Sequence, residues 1–349
     1  MYFFGFLHSN LINMFGISDT YSVRLLRTLL AAFWLAASLF FLACEVTKPE
    51  QIQAFYTETV AGETPFVVVL GIAQDAGYPQ AGCEKECCRN PWLQPMKRRS
   101  VSCVAVVDPK EGKAWMIDAT PDFREQSWRL ENLLPGKTLN LAGIFLTHAH
   151  IGHYTGLIHL GREVMNADKL PVFAMPGMRS FLENNGPWSQ LVRLQNISLR
   201  KLSADSAVIL NQRIKITPLP VPHRDEFSET VGFKIEGPQK SLLFIPDIDK
   251  WNLWEKDIVK EVKSADHALL DGSFYQNGEI PGRDMSEIPH PFIVESMVTF
   301  QDLSLKEKAR IHFIHFNHTN PVLLENSKAR KSVSENGLGI CEEGMVFGL

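Results

Sequence analysis

Ile144-Phe145-Leu146-Thr147-His148-Ala149-His150-Ile151-Gly152-His153 is the stretch on which the reading of this chain turns. Its first four residues are the compact apolar run of a buried strand. Three histidines then follow within six residues. Residues two apart in extended backbone project to the same side, so His148 and His150 can face one point while His153 enters from the first turn that follows. Three neutral imidazoles that leave a position open are the donor set of a catalytic rather than a structural zinc ion. The alternative is a solvated His-rich loop, which gives no packing reason for a buried strand to run straight into it.

Working outward, Phe66–Leu70, Val101–Val107 and Ala114–Ile117 are further strand-like runs, the first stopped by Gly71. Later strands are expected at Val172–Ala174, Ile214–Thr217, Gly232–Ile235, Leu242–Ile245, His267–Leu270 and Ile311–His315. Helices are expected around Arg179–Asn184, Trp251–Glu261 and Phe292–Thr299, and Leu157, Leu160 and Val164 give helical spacing just after the histidines. Many short strands with interspersed helices and no regular β-α-β alternation argue for two packed sheets with helices outside.

With that strand before it, the histidine motif resembles the metallo-β-lactamase superfamily, whose pattern is H-x-H-x-D-H. The resemblance implies a four-layer αββα sandwich and assigns further residues in chain order. Asp118 would orient a metal-bound histidine, His223 would be the next ligand, Asp247 would bridge two metals, and His315 would be the last ligand. His148, His150 and His223 would form one site, and His153, Asp247 and His315 the other. Gly152 stands where the superfamily carries an aspartate that binds the second metal and helps position the attacking water. The second site thus loses a carboxylate, and one or two catalytic zinc ions, or iron or manganese instead, are compatible with what is left. Water orientation would fall to Asp247 or to a loop residue, Tyr154 or His290, each also open to a plain packing or surface role.

Gly82-Cys83-Glu84-Lys85-Glu86-Cys87-Cys88 is a second cluster, and His318, three residues after His315, offers a fourth ligand for a structural zinc. A disulfide through Cys87 or Cys88 is the alternative. Such a cluster resembles that of the phosphonate-pathway cyclic phosphodiesterases and of the pyrroloquinoline quinone (PQQ) biosynthesis protein B family. Likeness to the latter extends through Leu70-Gly71, Gly77-Tyr78-Pro79-Gln80, Asp118 to Arg124, Leu270 to Phe274, and His315 to Pro321. Cys103 and Cys341 read as packed thiols.

The chain has 349 residues, 45% of them hydrophobic, with 23 Gly and 20 Pro, enough to bury a large core. Its formal charge of −4, with both signs mixed throughout, supplies no basic stripe for phosphates, so nucleic acid is not expected as a partner. At the start, Arg24 and Arg27 precede the uncharged run Thr28–Ala43, which ends in Phe41-Leu42-Ala43-Cys44. A positive flank, a short apolar stretch and small residues read as a secretory signal over residues 1–43, shorter than the ~20 residues of a spanning helix. An uncleaved helical anchor is the alternative, and Met14 is an alternative start. Cys44 after Leu-Ala resembles a bacterial lipobox, which implies an acylated residue and a lipid-anchored protein of the cell envelope. Residues 44–64 read as a polar tether, and residues 65–349 as one catalytic domain. The expected activity is metal-dependent hydrolysis of a small ester, lactone or phosphodiester. An iron-dependent oxidative enzyme on a quinone precursor, or a non-catalytic metal- or ligand-binding envelope protein, are the alternatives.

Overall fold

The computed structural model describes residues 62–349; the expected signal, Cys44 and nearly all of the tether lie outside them. Among the described residues no helix is long and apolar enough to cross a membrane.

Among the described residues, fourteen strands form two sheets. They are β1 Phe66–Gly71, β2 Cys103–Asp108, β3 Lys113–Ile117, β4 Asn140–Phe145, β5 Leu170–Ala174, β6 Ile197–Lys201, β7 Val208–Ile209, β8 Lys215–Pro220, β9 Val231–Glu236, β10 Ser241–Ile245, β11 His267–Asp271, β12 Ile311–Ile314, β13 Gly339–Ile340 and β14 Val346–Gly348. The first sheet runs β14-β1-β2-β3-β4-β5-β6 and the second β13-β12-β11-β10-β9-β8-β7. Each is mixed: β1 pairs antiparallel with β2 and β14, while β3 to β6 run parallel. In the second sheet β7 to β10 are antiparallel and β10 to β13 parallel.

Alternation along the strands builds the layers. Val67 and Val69 of β1 and Phe145 of β4 join Phe233 and Phe244 between the sheets. Val68, Leu70, Ile144 and Leu146 point the other way, into an outer core with Phe123, Leu130, Leu182 and Leu191. Those four come from helices α2 Phe123–Glu131, α4 Pro176–Asn184 and α5 Trp188–Arg193. The second sheet is covered by α6 Ile258–Lys263, α7 Ile293–Thr299 and α9 Lys328–Glu335, through Ile258, Val262, Ile293, Ala329 and Val333. This is the α/β/β/α sandwich expected from the resemblance. The remaining helices are α1 Glu86–Leu93, α3 Ile151–Tyr154 and α8 Leu305–Lys308.

Two local expectations need correction. The segment after the histidines is not a regular helix: α3 is a single turn, a 3₁₀ stretch covers Thr155–Leu160, and Val164 is exposed. Gly156 explains the tightening, since a Cβ there would lie 2.1 Å from the Thr120 carbonyl oxygen and the chain must pass close to the strand-to-helix corner. Trp251–Glu261 divides into a 3₁₀ turn at Trp251–Leu253 and α6, whose start is fixed by the Asp257 side chain accepting from the Val259 and Lys260 amides.

Candidate metal centre

The centre lies where strands stop. β4 ends at Phe145, and the chain runs on through Thr147 and His148 to a bend at Ala149 and His150, the latter with φ and ψ of −90° and 148°. His223 follows β8, Asp247 follows β10, Asp271 ends β11 and His315 follows β12. Asp118, the first residue after β3, and His315 both take positive φ, 71° and 68°. That conformation costs ~1–3 kcal/mol for a residue with a side chain. Here it turns both side chains back into the site, and the Asp118 amide is tied to the Phe145 carbonyl at 2.7 Å.

Each histidine is held by the ring nitrogen that faces away. His153 Nδ1 donates to Asp118 Oδ2 at 2.7 Å, and the same carboxylate accepts from the Thr147 amide at 2.8 Å. His223 Nδ1 donates to Asp249 at 3.0 Å, and His150 Nε2 donates to Glu226 at 3.2 Å. Thr147 Oγ1 lies 3.0 Å from His148 Nδ1, and Ser273 Oγ 2.9 Å from His315 Nδ1. Such partners fix ring orientation and tautomer at metal sites. The other nitrogens converge: His148 Nε2, His150 Nδ1, His223 Nε2 and an Asp247 oxygen lie within 4.8 Å of one another, as do donors from His153, His315 and Asp75. Asp247 joins the two groups, with Oδ1 3.2 Å from His223 Nε2 and Oδ2 3.3 Å from His148 Nε2 and 4.0 Å from both His153 and His315.

A metal fits these residues on the chemistry of the donors. The Nε2 atoms of His153, His223 and His315 and Oδ1 of Asp247 are buried without a hydrogen-bond partner. Each such orphan costs ~1–3 kcal/mol, which coordination to a shared cation removes. Access to solvent runs past His150 and Asp75, whose side chains are 13% and 26% exposed, against 3% or less for His148, His153, His223, Asp247 and His315.

Electrostatics divide the imidazoles. Burial lowers the pKa of His148 far below its ordinary value, and lowers His150 and His315 as well. Burial opposes charging of His153 too, but the carboxylates of Asp118, Asp75 and Asp247 outweigh it and raise that pKa to about 9. His223 is likewise raised to about 9, by Asp247 and Asp249 against burial. Burial alone would raise the Asp247 pKa; the surrounding His223 and His290 hold it well below the usual carboxylate range instead.

His290 is brought into the centre. Its Nδ1 donates to Asp271 Oδ2 at 2.9 Å and lies 3.3 Å from Asp247 Oδ1. Asp271 is fixed in turn by the Ile248 and Ser273 amides. Tyr154 is the exception among the expected site residues: its ring packs in the outer core, against Phe181 and Trp188, and not among the donors. The cause is the turn of α3, in which consecutive residues such as His153 and Tyr154 project about 100° apart and so to different surroundings. Asp75, in the turn after β1, was not expected; a carboxylate missing at Gly152 was the one signal for it, and its place 77 residues away hid it.

Cys83, Cys87, Cys88 and His318 also come together, with four donor atoms within 4.8 Å. Cys83 and Cys87 sulfurs are 3.8 Å apart, and His318 Nδ1 lies 3.6 Å from Cys87 and 3.3 Å from Cys88. Cys103 and Cys341 are buried thiols elsewhere.

Residues 115–316 match the model of the beta-lactamase superfamily domain, and the chain belongs to that family. Within it, the chain is similar to coenzyme PQQ synthesis protein B of Methylorubrum extorquens strain PA1, 25% identical over 308 residues that cover 81% of this chain and 99% of that protein. Among solved structures, zinc-bound PqqB from Methylobacterium extorquens superposes with a TM-score of 0.70 at 23% identity, covering 81% of this chain and 100% of that one. A diphosphatase from the PhnP family gives 0.59 at 22% identity, covering 82% and 98%. These likenesses establish the metallo-β-lactamase fold.

Proposed function

We infer that this chain is a metal-dependent hydrolase acting on a small ester, lactone or phosphodiester. The observation that carries the reading is the convergence of five imidazoles and Asp247, each imidazole pinned by its outward nitrogen and none turned to solvent at its inward one. Zinc held by His148, His150, His223 and Asp247, with His153 and His315 at a second position, would lower the pKa of water to ~7 and polarise the scissile bond. The residues supply the rest. Asp247 spans the two groups and fixes their separation. His290 is held through Nδ1 by Asp271, which leaves Nε2 as the nitrogen that would give a proton to the leaving group. Asp118 and Asp249 keep His153 and His223 in the tautomer that leaves Nε2 free to bind.

The test is turnover of bis(p-nitrophenyl) phosphate, p-nitrophenyl esters and lactones by the zinc-loaded chain, repeated with His150→Ala. Metal-dependent turnover lost in the variant is the expected result; an unchanged rate overturns the assignment. A second reading, iron-dependent oxidation of a quinone-precursor-like substrate, is favoured by His153, His315 and Asp247, two imidazoles and a carboxylate of the kind that hold iron. Iron retained through purification in air, with oxygen uptake, would support it.

Cys83, Cys87, Cys88 and His318 are proposed to hold a structural zinc, because four S/N donors without an open position suit that role. The charged flank, apolar run and Cys44 support an envelope location through a lipid anchor. Palmitate incorporation lost on Cys44→Ser would be the expected outcome, and incorporation unchanged would rule it out.

A further inference from the structure

The second half of the centre has a carboxylate after all, and it does not come from the histidine motif. Asp75 sits in the turn after β1. Its Oδ1 accepts from the Gly152 amide at 3.2 Å and lies 3.5 Å from His153 Nε2. A Cβ added to Gly152 would fall 2.3 Å from that same oxygen and 2.5 Å from the Asp75 Cα. An aspartate at 152 and the present turn therefore exclude each other sterically, and Asp75 fills the space that such a side chain would start from.

The turn is fixed to the centre from the other side as well. The Gln74 amide donates to the Phe316 carbonyl at 2.9 Å, and the Phe316 amide donates to Ile72 at 2.8 Å. Asp75 and His315 are thereby one residue from a shared pair of hydrogen bonds, so strands β1 and β12 set their spacing together. Between them point the Nε2 atoms of His153 and His315, both fully buried and without a hydrogen-bond partner. An exposed acid beside a loop would have no such counterpart.

We propose that Asp75 is the displaced carboxylate of the second metal position, which it completes with His153, His315 and the shared Asp247. This rests on the metallohydrolase reading for its chemistry but not for its test. With Asp75 the centre holds two ions; without it, one. Its side chain is 26% exposed, whereas His153 is fully buried, so the carboxylate joins the buried donors to the solvent side of the centre.

The test counts ions on the full chain. Wild type, Asp75→Asn and Gly152→Ala are stripped with chelator, reloaded by zinc titration and analysed by elemental mass spectrometry, with circular dichroism as the check on folding. Asp75→Asn keeps the shape of the side chain and removes its charge; the last ion to bind should weaken by more than ~100-fold, since even partners one shell further out contribute 10–100-fold. Gly152→Ala leaves every proposed ligand in the chain but pushes the turn away, and should weaken the same ion. Both variants folded and binding zinc with wild-type number and affinity would overturn the proposal. Hydrolysis is measured in parallel: a wild type inactive on every substrate defeats the hydrolase reading, while the ion counts still decide the role of Asp75.

Discussion

Two donor clusters hang from one loop. His315 enters the open centre at the strand ends, and His318, three residues on, meets Cys83, Cys87 and Cys88, the last two in α1. The first cluster mixes imidazoles with carboxylates, holds its imidazoles by hydrogen bonds with five different side chains, and leaves a side open at His150 and Asp75. The second has only sulfur and nitrogen and no carboxylate. Open sites of the first kind do chemistry, and closed sites of the second kind hold a fold. Because the loop carrying both histidines is short, the cysteine cluster also anchors the strand end that delivers His315.

The contrast breaks most visibly with substitutions on its two sides. His150→Ala should cost several kcal/mol of transition-state stabilisation, ~1000-fold or more in kcat/KM, with thermal unfolding little changed. His290→Ala should cost ~100-fold, seen as a loss in kcat with the bound zinc count intact, because His290 acts on the leaving group and not as a required ligand. Cys88→Ala belongs to the other side: a drop in Tm of ~5 °C or more with zinc lost from the cluster, and near-normal turnover by the molecules still folded. A Cys88 variant with unchanged Tm, or a His150 variant that unfolds, would erase the distinction.

The smallest effect is one of pH. His153 and His223, with pKa values near 9 in the metal-free centre, carry protons at neutral pH and must release them to bind zinc. Each ion at the centre should therefore bind up to ~10-fold more weakly for every pH unit below 9. Calorimetry in buffers of different ionisation enthalpy should register that release. At the cysteine cluster the protons to be released sit on sulfur: burial raises the pKa of Cys87 and Cys88, the latter to about 12, so these thiols hold their protons until a metal displaces them.

Much of this was legible in the residues. The spacing of His148, His150 and His153, and the order of Asp118, His223, Asp247 and His315 at the ends of apolar runs, are local patterns, and local patterns survive translation into a strand end. What depended on distant parts of the chain was not. Asp75 reads as an ordinary turn residue until β1 and β12 bring it to Gly152. Strand β14 is three residues long and exists through its pairing with β1, almost the whole domain away. Helix α1, with two cysteines and Pro91 inside it, has no helical stripe to read. Tyr154 was expected near the donors because it follows His153 in sequence, and a single turn of helix separated them.

Turnover should follow filling of the centre. The full chain, stripped of metal, should hydrolyse none of the phosphodiester, ester and lactone substrates above background, and stepwise zinc should restore activity as the ions at the His148–His150–His223 and Asp75–His153–His315 positions are taken up. Hydrolysis that persists in the stripped chain, or zinc that fills those positions without bringing any turnover, would contradict it.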